Sequence, residues 1–362
     1  MPHYKKQLHK LYAFNALGNI SIAGAAWVLL LVTDGYSLVQ IGLAETVFHL
    51  VSIAAEIPTG TLADTIGRRR CLIISSLCTI ASAFTRALWT TYAGVLISIA
   101  FSALSYNFFT GSDNALAYDS LLEEKATDRY DGYVATQPVI YRVANGVATL
   151  AAGIAVMIGN FYSQLLSVVI SSVQILVILS IKENKVIEQR RNLSLRARIR
   201  DTVSESRNFL SGNRKIRLLI FRNCLVGAVD ILLLFFLQAK LPMAGVSDIV
   251  LGPLLFIMSM GGIIGAWAST RAKGMKFGRL FTLSMILVSS GFAASFTGIP
   301  LVMTLGGFLA AFADDMIQIR ADIEINGMIP SSSRATLISV NSFCFSLVMI
   351  VLSPLAGIVF GL

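Results

Sequence analysis

The sequence predicts an all-α integral membrane protein, and three observations carry that prediction. Of its 362 residues, 55% are hydrophobic and 14% are charged, whereas a soluble domain carries about 25% charged residues. Apolar runs of about 20 residues, long enough to cross a bilayer as helices, follow one another along the whole chain. The cations gather in the connections between the runs. The net charge of +9 is therefore read as topology signal and anchorage to anionic lipid, not as a nucleic-acid surface.

Eleven spans are expected. The first, 11–33, follows Lys5, Lys6 and Lys10 and ends at Thr33–Tyr36; with no small-residue cleavage site, it reads as a retained helix rather than a signal peptide. Span 36–58 stops before a charged turn, 71–90 stops at Thr90–Thr91, and 92–121 stops before Lys125. Spans 134–158 and 160–181 meet at Asn160. After a long polar stretch come 215–238 and 247–269, joined by the Gln238–Asp248 turn, then 277–297, 299–327 beyond Gly298–Pro300, and 334–360. With the N-terminus in the cytoplasm, the inner segments hold Arg68, Arg69, Arg70, Arg129, Arg271, Arg279, Arg334 and the basic 182–217 stretch, while the outer turns hold one cation, Lys240. That asymmetry supports the span count and a cytoplasmic N-terminus in a bacterial-type inner membrane.

The polar stretch divides the chain into a six-helix bundle (1–181), a linker (182–214) and a C-terminal bundle (215–362). Within the linker, Leu195, Ile199, Val203 and Leu210 recur at roughly helical spacing, with Arg196, Arg198, Arg200 and Arg207 elsewhere on the wheel. This predicts an amphipathic helix on the inner membrane surface; a flexible linker is the alternative.

A charge at the bilayer centre costs about 2.5–3.5 kcal/mol, so ionisable residues inside spans are functional candidates. Glu45 and His49 stand at i, i+4 on one helix face and could exchange a proton. Asp230 lies mid-span between Val229 and Ile231, and Asp314 and Asp315 lie mid-span side by side, about 100° apart, so one of them faces a cavity. Asp113 is a fourth acidic site, with Arg142 as its candidate partner. Arg86 and Arg222 read as anchors near span ends. Buried acids outnumber buried bases, which favours protons and cationic or zwitterionic cargo. Phe101, Tyr106, Phe108, Phe109 and Tyr141 are packing or lipid-facing residues, with a role in lining a cavity as the alternative. Cys71, Cys78, Cys224 and Cys344 lack metal-like spacing, and no cofactor, metal or enzyme constellation is expected.

Between the second and third spans stands Gly60-Thr61-Leu62-Ala63-Asp64-Thr65-Ile66-Gly67-Arg68-Arg69-Arg70. It resembles the signature loop of the major facilitator superfamily of secondary transporters, Gly-x-x-x-Asp-x-x-Gly-Arg-Arg/Lys, with Gly60, Asp64, Gly67, Arg68 and Arg69 matching. The resemblance implies two pseudo-symmetric six-helix halves of inverted repeats, against which eleven spans leave the twelfth missing. It also implies a cytoplasmic latch in which Asp64 sits near the start of span 334–360 and Arg68 pairs with Asp119. Gly265-Ala266-Trp267-Ala268-Ser269-Thr270-Arg271 looks like a decayed second copy, and Gly111–Ala115 has a weak counterpart in Phe312–Met316. Two family marks of proton antiport are absent: Asn107 stands where an arginine is common, and Asn145–Gly153 lacks the antiporter proline.

The expectation is a monomeric secondary transporter working by alternating access, in the manner of a bacterial drug exporter. It would bind protons and a small-molecule substrate in the lipid bilayer, and expel cationic or amphiphilic compounds. The alternatives are a proton-coupled metabolite symporter and a degenerate member that transports nothing.

Overall fold

The computed structural model describes residues 3–182, 204, 213–328 and 334–362. The linker positions Leu195, Ile199, Val203 and Leu210 and the turn 330–333 lie outside the described residues. Among those described, the elements are α-helices joined by turns and two short 3-10 segments. Among the described residues, nine helical stretches are long and apolar enough to cross a membrane, against the expected eleven. The two absent ones are 11–33 and 134–158.

The chain divides into two compact units, one of Met1–Trp27 and Val47–Ile199, the other of Val28–Thr46 and Arg200–Leu362. In addition to the division inside 182–214, a segment from the first two expected spans thus clusters with the second unit.

The expected span 11–33 is not one helix. Helix α1 (His3–Asn19) ends at Asn19, α2 (Ile22–Ala25) is one turn long, and α3 (Trp27–Thr33) follows. Breaking a helix orphans backbone groups, and side chains take them up. Ser21 Oγ accepts from Gly24 N at 3.1 Å, Gln174 Nε2 donates to Phe14 O at 3.0 Å, and Gln238 Oε1 accepts from Val28 N at 3.2 Å. A run so divided has no continuous apolar helix of spanning length.

Helix α4 (Leu38–Ile66) outruns its expected end at 58 and carries Pro58 inside it. Residues Gly60–Ile66 are therefore helix, not loop. The turn into α5 (Arg68–Leu88) is Gly67 alone, at φ 105° and ψ 148°, a region essentially reserved to glycine. Next come α6 (Tyr92–Phe109), capped by Thr91, and α7 (Ser112–Glu123), with the break between them at Thr110–Gly111. Helix α8 (Tyr130–Leu150) stops eight residues short of the fifth expected span's end at 158, because α9 begins at Ala152, and Asp131, Gln137, Arg142 and Asn145 leave it too polar to span. Helix α9 (Ala152–Leu179) is broken at Gly159 (φ 81°, ψ 166°), beside the expected Asn160 turn. The first unit's core joins Leu8, Leu11 and Phe14 of α1 to Leu72, Leu116, Leu121, Tyr133 and Ile178.

In the second unit, α10 (Arg214–Met243) is capped by Asn213, whose Oδ1 accepts from Lys215 N at 2.9 Å. It is followed by α11 (Asp248–Arg271), α12 (Phe277–Ala294), α13 (Pro300–Asn326) and α14 (Arg334–Gly361). Helix α13 is central, packed against α10, α11 and α12. Gly261 and Gly265 lie against the α13 carbonyls of Phe308 and Phe312, the small-residue spacing that lets membrane helices touch backbones. Gly265 therefore serves packing, not a turn, in the supposed second copy of the signature motif. Gly42 on α4 lies against Ser353 O and Gly357 on α14 against Leu38 O, seating the start of α4 in this unit. Phe236, Phe292, Phe296 and Phe360 form one aromatic cluster with ring centroids 5.0–5.4 Å apart.

Candidate functional sites

Three groups of candidate residues emerge, two in the first unit and one in the second. At the α4–α5 corner, Arg68 Nε lies 3.0 Å from Asp119 Oδ2, and Arg68 Nη2 lies 4.0 Å from Asp64 Oδ1, one helical turn earlier. The Gly67 turn makes this possible, because it starts α5 at Arg68 and aims the first guanidinium at the last turns of α7. Gly60 is helical, and a Cβ there would meet nothing within 4 Å. Arg69 does something the sequence did not suggest. Its Nε and Nη2 donate to Ile178 O and Leu179 O at 3.1 and 2.7 Å, capping the carbonyl end of α9. Lys10 Nζ adds a 2.6 Å bond to Ser180 O.

The second group lines a cavity of about 780 Å³ within the first unit. Its walls come from the α1–α2 break (Asn15, Gly18, Asn19, Ser21), from α5 and α6 (Ser75, Thr79, Ser102, Ser105, Tyr106, Phe109), from α7 (Asp113, Asn114), from α8 (Gln137, Pro138, Tyr141) and from α9 (Ser171, Gln174). Tyr106, Phe109 and Tyr141 thus line this cavity. Asn15 is the hub: its Nδ2 donates to Gln137 Oε1 at 2.7 Å and reaches Asp113 Oδ2 and Tyr133 Oη, each at 3.4 Å. Asp113, in the first turn of α7, is reached by Asn15 at 3.4 Å; the expected pairing with Arg142 is not among its described contacts. Gln137, Pro138 and Tyr141 share the cavity face of α8, while Arg142 lies outside the lining on an exposed part of that helix. The α5–α6 wall is knit by hydroxyls. Ser75 Oγ donates to Ser105 O at 2.8 Å, and the Thr79 and Ser105 hydroxyls are 2.7 Å apart.

The third group is acidic. Asp230 on α10 is 4% exposed, and it lies within electrostatic reach of Asp314 and Asp315 on α13. Two glycines make room for this cluster. Gly227 lies against Asp314 Oδ1, one turn from Asp230, and Gly262 lies against Asp315 Oδ2. Asp230 Oδ1 has no hydrogen-bond partner. Asn223, two turns earlier on the same stripe of α10, carries a second unpartnered oxygen, Oδ1.

The remaining candidates lie elsewhere. His49 is buried, its ring edge-on to Phe48 at 5.3 Å, and Glu45 is half-buried on the same helix. Asn107 is a structural clamp: its Nδ2 donates to Ser52 O at 2.7 Å, and its Oδ1 accepts from Ser52 Oγ at 2.9 Å. Arg86 is 8% exposed, more buried than an anchor needs to be, and Arg222 sits 4.9 Å from the Phe281 ring centroid. Sequence reasoning missed Arg320, which is 7% exposed and 3.3 Å from Glu324; Lys215 reaches the same carboxylate at 3.9 Å. The i, i+4 spacing of Arg320 and Glu324 at the end of span 299–327 was the available signal.

Solved structures of similar shape are transporters. A mutant of the nucleoside transporter NupG aligns with a TM-score of 0.79 at 16% identity, covering 99% of this chain and 96% of its own. A bacterial homolog of the human lysosomal transporter Spinster, in an inward-facing and occupied conformation, aligns at 0.73 and 18%, covering 98% and 81%. The D-xylose–proton symporter aligns at 0.69 and 12%, covering 97% and 88%. No curated protein matches the sequence. At such identities the likeness shows the fold alone. The family model of the Major Facilitator Superfamily matches residues 11–353, nearly the whole chain. The chain belongs to the Major Facilitator Superfamily.

Proposed function

We propose that this protein is a secondary active transporter that works by alternating access and couples to protons at the carboxylates of Asp230, Asp314 and Asp315. The observation that carries the proposal is the unpartnered, buried Asp230 oxygen beside two further acids in an apolar bundle. Burying such a group costs several kcal/mol unless a proton or cation answers it. An ion gradient can supply the work, since one charge crossing 100 mV yields about 2.3 kcal/mol. Glu45 and His49 remain a second proton route. Asp64, Arg68 and Asp119 act as the latch of a cytoplasmic gate in an inner membrane, with the N-terminus inside and a single chain as the working unit. Gly60, Gly67 and Arg69 shape that corner.

The acidic excess supports export of a cationic or amphiphilic small molecule. A specific observation favours the second reading, symport of a polar metabolite: among the described residues, hydroxyls and amides stand beside apolar side chains such as Leu17, Ile20 and Ile170 around the first unit's cavity, and Asp113 is the one carboxylate lining it. The nucleoside transporter and the D-xylose–proton symporter among the similar structures suit that reading.

The test is flux in proteoliposomes under an imposed pH gradient, with a cationic dye and labelled neutral solutes offered in turn. Asp230→Asn should abolish gradient-driven flux while expression and melting temperature hold. Full flux in that variant removes the cluster from coupling, and flux indifferent to a protonophore removes the proton.

A further inference from the structure

We infer that the cavity of the first unit is a binding site for a neutral, polyhydroxylated solute, recognised by the side-chain amides of Asn15, Asn114 and Gln137. The inference rests on the transport reading, whose cargo it specifies. Three buried polar atoms among the described residues lack a hydrogen-bond partner and belong to side chains that line this cavity: Asn15 Oδ1, Asn114 Oδ1 and Gln137 Nε2. Buried groups of this kind are normally satisfied. Three around one cavity therefore point to something that occupies it and answers them. Two are acceptors and one is a donor, and a hydroxyl can serve either kind. Vicinal hydroxyls on a ring can answer the two acceptors and the donor together; a cation, which only donates, leaves Gln137 Nε2 unmet.

Electrostatics narrows the class. Among the described residues, no lysine, arginine or histidine lines the cavity, so an organic anion finds no cation there. The one carboxylate, Asp113, is already held by Asn15 at 3.4 Å. A cationic amphiphile could approach Asp113 and lay its apolar body on Phe14, Phe109 and Ile170, but it would leave the Gln137 Nε2 donor unanswered. The hydroxyls of Ser75, Thr79 and Ser105 bond to one another and to backbone, so they shape the wall and leave recognition to the amides. Phe109 and Tyr106 add aromatic surface to the wall, with the Phe109 ring stacked on Phe14 at 6.2 Å. The volume of about 780 Å³ falls within the usual range for small-ligand sites. The chain also breaks its helical pattern at this wall, through Asn19, Ile20 and Ser21. At membrane depth such backbone is tolerated where it lines a cavity.

The experiment is binding to the purified full chain in detergent, with no gradient, read by saturable melting-temperature shifts and by labelled ligand. The probes are D-ribose, myo-inositol and uridine, with tetraphenylphosphonium as the cationic contrast. At least one neutral probe should bind saturably. Gln137→Leu and Asn114→Leu should each weaken it about tenfold or more, the loss of one hydrogen bond to a buried amide. Tetraphenylphosphonium should give no saturable shift. The Asn114 side chain has no hydrogen-bond partner to lose, so if Gln137→Leu fails to fold, Asn114→Leu decides. Failure of every neutral probe to bind overturns the proposal, as does neutral binding indifferent to the variants, or tighter binding of the cation. Binding without gradient-driven flux would sink the transport reading and keep the site. Dye flux without neutral binding would do the reverse.

Discussion

At the scale of single residues, the two signature glycines separate cleanly. Gly67 holds φ 105° between two helices, so Gly67→Ala should destabilise the protein by about 1–3 kcal/mol. Gly60 sits in regular helix with open space around its Cα, so Gly60→Ala should be neutral or stabilising by up to about 1 kcal/mol. Thermal unfolding in detergent reads both; a Gly60→Ala that loses flux while gaining stability would assign that glycine to movement. The two arginines separate as well. Arg69 donates to two carbonyls at the end of α9, and Arg69→Ala should cost about 1–3 kcal/mol by freeing that end, with partial recovery in Arg69→Lys. The motif's spacing brought Arg68 and Asp119 into view from sequence. The capping role of Arg69 was hidden, because backbone carbonyls carry no sequence signature.

At the scale of elements, turns were legible because glycine, proline and cations mark them along the chain. The ends near Thr33, Thr90, Asn160 and Gly298 fall within a few residues of the expected ones. The break after Asn19 was not legible, since the residues that support it, Gln174 and Gln238, are remote in sequence. Helix azimuth was hidden too. Arg142 and Asp113 looked like partners, but α8 turns Gln137 and Tyr141, not Arg142, to the cavity. Helix contacts give their own test. An alanine at Gly261 or Gly265 drives a methyl group into an α13 carbonyl, so each substitution should cost about 1–3 kcal/mol. Undiminished melting temperatures would mean that α11 and α13 can separate freely.

At the scale of the molecule, membrane class and family were written in composition and one motif, while the sites required three dimensions. Asp230, Asp314 and Asp315 stood out singly as charges in apolar runs; only folding shows them as one cluster. The cavity amides gave no signal at all, since Asn15, Asn114 and Gln137 are scattered over three helices. Cluster and cavity belong to different units, which predicts separable defects. Asp230→Asn should stop gradient-driven accumulation yet spare solute binding and exchange at equal pH, whereas Gln137→Leu should weaken all three. Exchange lost in Asp230→Asn would tie the acids to cargo rather than to coupling. The corner at Gly67 has a consequence for how the first unit answers its surroundings. Two adjacent guanidinium groups tether different helix ends by different physics, Arg68 to a carboxylate and Arg69 to neutral carbonyl dipoles. The first tether is partly buried, so ionic strength screens it only in part. Salt should therefore loosen the end of α7 by degrees rather than release it.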